Sequence, residues 1–246
     1  MILAKKRNIL ILGALGTIGI KILEKFIKKE PHSVYFLFEK NNKELNKIYK
    51  KFKFFKIKLF SLDLSKKVTQ AKIKNIKNYK IDVFINASGD INRKKFLEEN
   101  DAEWSRIMNV NLNNPMKLIK AILPNMIKNK YGKIINFTSQ VIKKTHSAAS
   151  PSYEISKAGL LSLNRYLCKN FAKHQINFNT IMPGTIKSEM QKNISKLDFN
   201  KIKKDIPQKR LGNPEEVAEL VFFLCSEEAS YINGASINIS GGSILD

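Results

Sequence analysis

The stretch from Asn8 to Ile27 limits the possible folds more than any other part of the chain. Asn8-Ile9-Leu10-Ile11-Leu12 is a short apolar run, Gly13-Ala14-Leu15-Gly16-Thr17-Ile18-Gly19 follows, and Ile18, Ile22, Leu23, Phe26 and Ile27 then recur at helical spacing. Strand, glycine turn and amphipathic helix in that order open a parallel layout, because a strand covered on both faces reads as an unbroken apolar run. Glycines at 13, 16 and 19 let the backbone turn sharply and approach a pyrophosphate, while the helix N-terminus offers free N–H donors and a partial positive charge. An ordinary tight turn is the competing reading. Three glycines at intervals of three weigh toward dinucleotide binding.

The alternation continues along the chain. Val34 to Phe38 reads as a second strand ending at Glu39, and Lys50 to Lys58 alternates basic and apolar residues as a half-exposed strand would, leading to Asp63 and Leu64. After a lysine-rich helix, Ile81 to Ile85 is a fourth strand that runs into Asn86-Ala87-Ser88-Gly89. A long helical stretch through Trp104, Ile107, Met108, Leu118 and Ile122 contains Val110-Asn111-Leu112, where a buried amide either braces the backbone or serves a water relay. Gly132 to Phe137 delivers Thr138 and Ser139 at its C-terminal end, where open α/β sheets bind ligands. A helix bearing Tyr153 and Lys157, a sixth strand from Ile176 to Ile181, the turn Met182-Pro183-Gly184-Thr185, a helix from Pro214 to Leu224 and a strand from Ala235 to Ile239 complete the pattern. Residues 186–206, polar and lysine-rich, are expected to form a helical lid. The expectation is one α/β domain over 1–246, doubly wound, with a seven-stranded, mostly parallel sheet and helices on both faces.

The chemistry concentrates at Tyr153-Glu154-Ile155-Ser156-Lys157, where four residues of helix bring a phenol and an ammonium to one face. A nearby fixed cation favours phenolate, so the pair suits general acid/base work on an alcohol or ketone. Lysine is abundant enough to repeat the spacing by chance at Tyr49 and Lys53, so the pair takes its weight from the rest of the chain. Glu39, about 20 residues beyond the glycine turn, is placed to accept from the ribose hydroxyls of NAD. Lys40 would instead meet a 2'-phosphate. Leu15 leaves the glycine loop without a basic side chain, and the balance leans to NAD(H) over NADP(H).

The formal net charge of +23 raises the question of a polyanionic partner. The excess is nearly all lysine, spread along the chain with abundant Ile and Asn, whereas arginine, the better bidentate reader of phosphate and base, occurs only at 7, 93, 106, 165 and 210. The pattern reads as compositional drift, with no specific nucleic-acid role. No apolar run is long enough to span a bilayer, Met1 to Arg7 lacks a signal-peptide succession, and Cys168 and Cys225 have neither metal spacing nor a disulfide framework. A cytoplasmic protein without a metal or membrane partner is expected.

The glycine turn, Asp63-Leu64, Asn86-Ala87-Ser88-Gly89, Val110-Asn111-Leu112, Ser139, Tyr153 with Lys157, Pro183-Gly184 and Arg210 to Ala218 closing on Gly241-Gly242 together resemble the short-chain dehydrogenase/reductase family, in its short single-domain branch. The likeness runs from Asn8 to Gly242 with the landmarks in order. It implies a Rossmann fold with Tyr153 as general acid/base, Lys157 holding the ribose and depressing the phenol, Ser139 orienting the substrate oxygen and Asn111 supporting a proton relay. It further implies that Gly13, Gly16 and Gly19 carry the pyrophosphate, Glu39 meets the adenosine ribose, Asp63 and Leu64 the adenine, and Asn86 forms the wall between the cofactor's halves, with Leu15, Thr17, Ile18, Ala87, Ser88 and Lys157 among the cofactor-binding residues. Pro183, Gly184, Ile186 and Ser188 would face the nicotinamide.

Departures from the family pattern are visible. Leu12 stands where threonine is usual, Gly16 comes one place early, and Thr17 takes the middle glycine's position, a spacing similar to the longer sugar-nucleotide branch. The loop before Tyr153 carries Lys143, Lys144 and His146, either a solvated loop or cations awaiting an anionic substrate. The leading expectation is an NAD(P)-dependent oxidoreductase acting on a secondary alcohol or ketone of a small, sugar-derived or otherwise anionic molecule. A 3-oxoacyl carrier-protein reductase using NADPH is the alternative among enzymes. A non-catalytic dinucleotide-binding regulator is the alternative of another class. Homodimers or homotetramers are what the resemblance implies for assembly.

Overall fold

The computed structural model describes residues 6–39, 46, 48, 50–144, 148–188 and 196–245. Its strands are β1 (Asn8–Leu12), β2 (Val34–Glu39), β3 (Lys56–Ser61), β4 (Val83–Asn86), β5 (Gly132–Phe137), β6 (Ile176–Pro183) and β7 (Ser236–Ile239). They form one sheet in the order β3-β2-β1-β4-β5-β6-β7. Every strand pairing among the described residues is parallel, so the mostly parallel sheet expected is wholly parallel. The longer helices are α1 (Thr17–Lys29), α2 (Asp101–Met108), α3 (Asn114–Asn129), α4 (Pro151–Phe171), α5 (Lys196–Asp205) and α6 (Pro214–Leu224).

The apolar run of β1 explains the layering. Ile9 and Ile11 pack with Ile22, Leu23 and Phe26 of α1 and with Val217 and Val221 of α6, whereas Leu10 and Leu12 join Leu118 and Ile122 of α3 and Leu167 of α4 on the other face. All four β1 side chains are fully buried, each contributing roughly 1.5–3 kcal/mol. The Phe26 and Phe222 rings meet edge to face at 5.1 Å and tie α1 to α6. Helices therefore cover both faces, as the alternation of elements predicts.

The structure moves several boundaries. The half-exposed strand expected from Lys50 begins only at Lys56. Ile48 and Phe52, both buried, are one helical turn apart and joined by Phe52 N–H to the Ile48 carbonyl at 2.9 Å, so this core contact overrides the alternation. The lysine-rich helix before β4 shrinks to one turn, Gln70–Ile73, and a 3-10 turn, Lys74–Asn78. β4 starts at Val83 rather than Ile81, and β7 at Ser236 rather than Ala235. β6 runs through Met182 and Pro183, which the sequence assigns to a turn. Thr180 and Gly184 donate to the β7 side, so Pro183 faces the β5 side, beyond the last pairing of that strand, and its missing N–H leaves no ladder bond unmade. The long helix around Asn111 widens into a π-turn, Asn109–Asn113, where Asn114 N–H reaches back five residues to the Asn109 carbonyl. Of the expected lid, α5 is described, and residues 189–195 lie outside the described residues.

Candidate active site

The strand order reverses between β1 and β4, and the crevice beyond their C-terminal ends is where a doubly wound sheet binds ligands. Gly13 follows β1 and Ala87-Ser88 follows β4. Gly13 has φ +75, and a Cβ there would stand 2.8 Å from the Ser88 backbone. A Cβ at Gly19 would lie 2.0 Å from the Gly13 carbonyl oxygen, so α1 can pack on the turn only with glycine at that position. Gly16 N–H closes the turn onto the same oxygen at 3.1 Å. Gly16 also caps α1 without a side-chain hydrogen bond, and the first helical turn carries no acid. Free N–H donors at the start of a 13-residue helix thus face the crevice through Thr17, Ile18 and Gly19, a cradle that fits a pyrophosphate.

The crevice has two chambers of about 330 and 300 Å3 that share Gly16, Ala87, Ser88, Gly89 and Asp90. Phe38, Asp63 and Leu64 close the first, beside the ends of β2 and β3. Asp63 is held by Ser65, whose N–H and hydroxyl donate to Oδ1 at 3.0 and 2.6 Å. Ser139, Tyr153 and Lys157 wall the second, with Pro183, Gly184, Ile186 and Ser188 across from them. A trench with a phosphate cradle at its middle and reactive side chains at one end suits a dinucleotide.

The reactive end is assembled from two elements. Ser139 sits at the end of β5, its Oγ accepting from Val141 N–H at 3.4 Å. Ser150 caps α4, and Pro151 begins it, which sets Tyr153 and Lys157 in its first two turns. The Lys157 ammonium is buried, donates to the Phe137 carbonyl at 2.9 Å and lies 5.8 Å from the Tyr153 ring centroid. Burial brings its pKa down to about 8. Burial also pushes the Tyr153 phenol above its ordinary value, while the hydrogen bond with Ser139 pulls it the other way. The direction differs from the depression expected of the Lys157 charge: desolvation outweighs the Ser139 hydrogen bond, and the Lys157 ammonium donates to the Phe137 carbonyl.

A chain of side chains runs inward from the crevice. Ser88 Oγ donates to Asn86 Oδ1 at 2.7 Å, Asn86 Nδ2 to Asn136 Oδ1 at 3.2 Å, Asn136 Nδ2 to Asn164 Oδ1 at 3.2 Å, and Asn164 Nδ2 to the Phe178 carbonyl at 3.0 Å. Asn86 is fully buried and supports the crevice from behind, without lining either chamber. Leu15 packs against the core under α1 and is likewise absent from both chambers. Asn111 is fully buried: Oδ1 accepts from Asp90 N–H at 2.9 Å, and Nδ2 donates to the Asp90 carbonyl at 2.9 Å and to Ser156 Oγ at 3.0 Å. These bonds brace the Asp90 backbone against α4.

The Glu39 side chain, Lys40 and His146 lie outside the described residues, whereas Lys143 and Lys144 are exposed and line neither chamber. Asp90 lines both chambers, carries an ion pair with Arg106 and was not singled out from the sequence. Its position directly after Asn86-Ala87-Ser88-Gly89 was the available signal. Among the described residues no group of His, Cys, Asp and Glu can hold a metal ion, and no helix is long and apolar enough to cross a membrane.

A parallel sheet wound on both sides, a glycine cradle at its switch point and a Ser-Tyr-Lys wall define an oxidoreductase that works on a nicotinamide dinucleotide. Residues 13–243 match a family model described as enoyl-(acyl carrier protein) reductase, and the chain belongs to the short-chain dehydrogenase/reductase family. It is 31% identical over 238 residues to the 3-oxoacyl-[acyl-carrier-protein] reductase FabG of Buchnera aphidicola subsp. Schizaphis graminum, covering 96% of this chain and 88% of that protein. A crystal structure of a 3-oxoacyl-[acyl-carrier protein] reductase from Brucella melitensis superposes with a TM-score of 0.90 over 98% of this chain and 93% of that one, at 24% identity. A putative gluconate dehydrogenase from Agrobacterium tumefaciens matches with 0.89 over 98% of both chains, at 22% identity. At those identities the structural matches show the fold alone.

Proposed function

We propose that this chain reduces the ketone of a 3-oxoacyl thioester carried on an acidic carrier protein, with NADPH as the dinucleotide. The observation that carries the reading is the Ser139, Tyr153 and Lys157 wall facing Gly184, Ile186 and Ser188 across one chamber, and the name of the Buchnera relative supplies the substrate class. When bound, the nicotinamide supplies a hydride to the carbonyl carbon. The Ser139 hydroxyl donates to the ketone oxygen and orients it, and Tyr153 gives that oxygen its proton, so that C=O, hydride and proton become CH–OH. Lys157, the buried cation beside the ring, stabilises the phenolate left behind. Asn111 holds Asp90 and Ser156 in place on the same wall; a water relay through it extends this proposal. The first-turn N–H groups of α1 hold the pyrophosphate, and Asp63 and Leu64 border the adenine. Under this reading Lys40 meets the 2'-phosphate, residues 186–206 close over the acyl chain, and the protein works as a cytoplasmic homo-oligomer.

A second reading, an NAD-linked dehydrogenase of a secondary alcohol, is supported by the sequence position of Glu39, the last residue of β2 and about 20 residues beyond the glycine turn. The test is turnover of an acetoacetyl thioester with NADPH and with NADH, alongside binding of each followed by quenching of the single Trp104. NADPH preference with thioester turnover is expected. Strict NADH use without thioester turnover would return the second reading to the front. Tyr153→Phe keeps dinucleotide affinity and loses turnover by about 10²–10⁴-fold, the usual contribution of a positioned acid; equal activity would end the mechanism.

A further inference from the structure

The catalytic helix is capped by a residue from another segment. Ser152, fully buried in the first turn of α4, donates its N–H to Glu99 Oε2 at 3.2 Å and its hydroxyl to Glu99 Oε1. Asn92 Nδ2 donates to the same Oε1 at 2.7 Å, and the Asn92 carbonyl accepts from Ser150 N–H at 3.0 Å. Ser150 Oγ in turn accepts from Tyr153 N–H at 3.4 Å and lies 3.1 Å from Ser152 Oγ. The segment from Asp90 to Glu99 is therefore fastened to α4 at both ends, through Asn111 and Ser156 at one and through Glu99 at the other.

We infer that Glu99 is a positioning residue, whose carboxylate caps the N-terminus of α4 from outside the helix and fixes Tyr153 against Ser139. A carboxylate is suited to this place, because the first-turn N–H groups carry the positive end of the helix dipole. Burial pushes the Glu99 carboxyl up, but hydrogen bonds from Ser152, Asn92 and Ser150 outweigh it and hold the group below the ordinary range, so it stays ionised at neutral pH. Nothing in the sequence marks Glu99: it lies 54 positions before Tyr153 in a charged stretch, outside every motif of the site. The inference rests on the role proposed for Tyr153 and adds the element that aims it.

The test compares Glu99→Ala and Glu99→Gln with the wild type. Glu99→Ala is expected to lower kcat about tenfold while the dinucleotide Kd stays unchanged, because small misplacements of a catalytic group are expensive in rate and the phosphate cradle is a different element. Glu99→Gln keeps a carbonyl oxygen for the Ser152 N–H and should recover most of kcat. A kcat for Glu99→Ala within about twofold of wild type overturns the inference, as does an equal fall in kcat and dinucleotide affinity that Gln fails to rescue. Hydrogen exchange of the first turn of α4 should quicken in Glu99→Ala while α1 is unaltered, and unchanged exchange overturns the inference too. If the wild type itself reduces no ketone, the proposed function fails alone, and the exchange measurement still decides what Glu99 holds.

Discussion

Replacing Gly19 by alanine tests whether the glycine spacing is required by packing. The added Cβ would start 2.0 Å from the Gly13 carbonyl oxygen and 2.9 Å from the Ala14 Cα, both backbone atoms. Side-chain rotation relieves neither contact, so α1 must withdraw from the turn by about an ångström before the contact resembles an ordinary one. Gly13 cannot give way instead, since its φ of +75 and its close approach to the Ser88 backbone fix it from the other side. Overpacking of this kind costs about 1–3 kcal/mol. For a chain of this size that lowers the thermal midpoint by roughly 3–10 °C. The withdrawal also pulls the first-turn N–H groups from the phosphates, and a lost charge-assisted hydrogen bond of about 2 kcal/mol weakens dinucleotide binding some thirtyfold. Gly16→Ala is the control: its Cβ would meet the same oxygen at 3.4 Å, with φ at −64. The assay is a thermal melt and a Trp104 quenching titration of both variants. Equal melting temperatures for Gly19→Ala and Gly16→Ala would refute the reasoning.

Two further outcomes are expected. Because burial brings Lys157 from an ordinary 10.5 to about 8, the unfolded chain binds more protons between those values, so this group's penalty is complete below pH 8 and fades as pH rises toward 10.5. Lys157→Met should therefore be more stable to denaturant at neutral pH, by up to about 3 kcal/mol less the lost bond to the Phe137 carbonyl, and the gap should narrow by about pH 10; a gap independent of pH would contradict the burial argument. Asn111→Ala leaves the Asp90 N–H and carbonyl and the Ser156 hydroxyl without this partner, and urea unfolding should register a loss of roughly 3 kcal/mol together with reduced kcat. A loss below about 1 kcal/mol would mean that the bracing is replaceable.

Much of the fold was legible because its strongest signals are local. β1, β5 and α6 stand where continuous apolar runs, a glycine start and a proline start put them. The differences fall where a tertiary contact decides: the core draws Ile48 and Phe52 into one helical turn, and Pro183 stays in strand because its neighbour has ended. The site follows the same division. Gly13, Gly19, Ser139, Tyr153 and Lys157 carry their chemistry in residue type and spacing, and they meet in one crevice. The direction of the phenol's shift is not legible in spacing, which reports which groups are near and says nothing of how much water is removed from them. Asp90 and Glu99 are ordinary acids in sequence; what marks them out are Arg106, 16 positions from Asp90, and Ser152, 53 positions from Glu99.

The row of amides behind Ser88 has a direction. Each member donates to the next, from Ser88 through Asn86 of β4, Asn136 of β5 and Asn164 of α4, and the row ends on the Phe178 carbonyl of β6, which can only accept. The hydrogen of Ser88 is thereby assigned to the interior, and what its oxygen turns toward the crevice is lone pairs alone. Where the two chambers join, Ser88 therefore presents an acceptor. The row that fixes the Ser88 hydroxyl is thus anchored on a carbonyl of β6, three amides away.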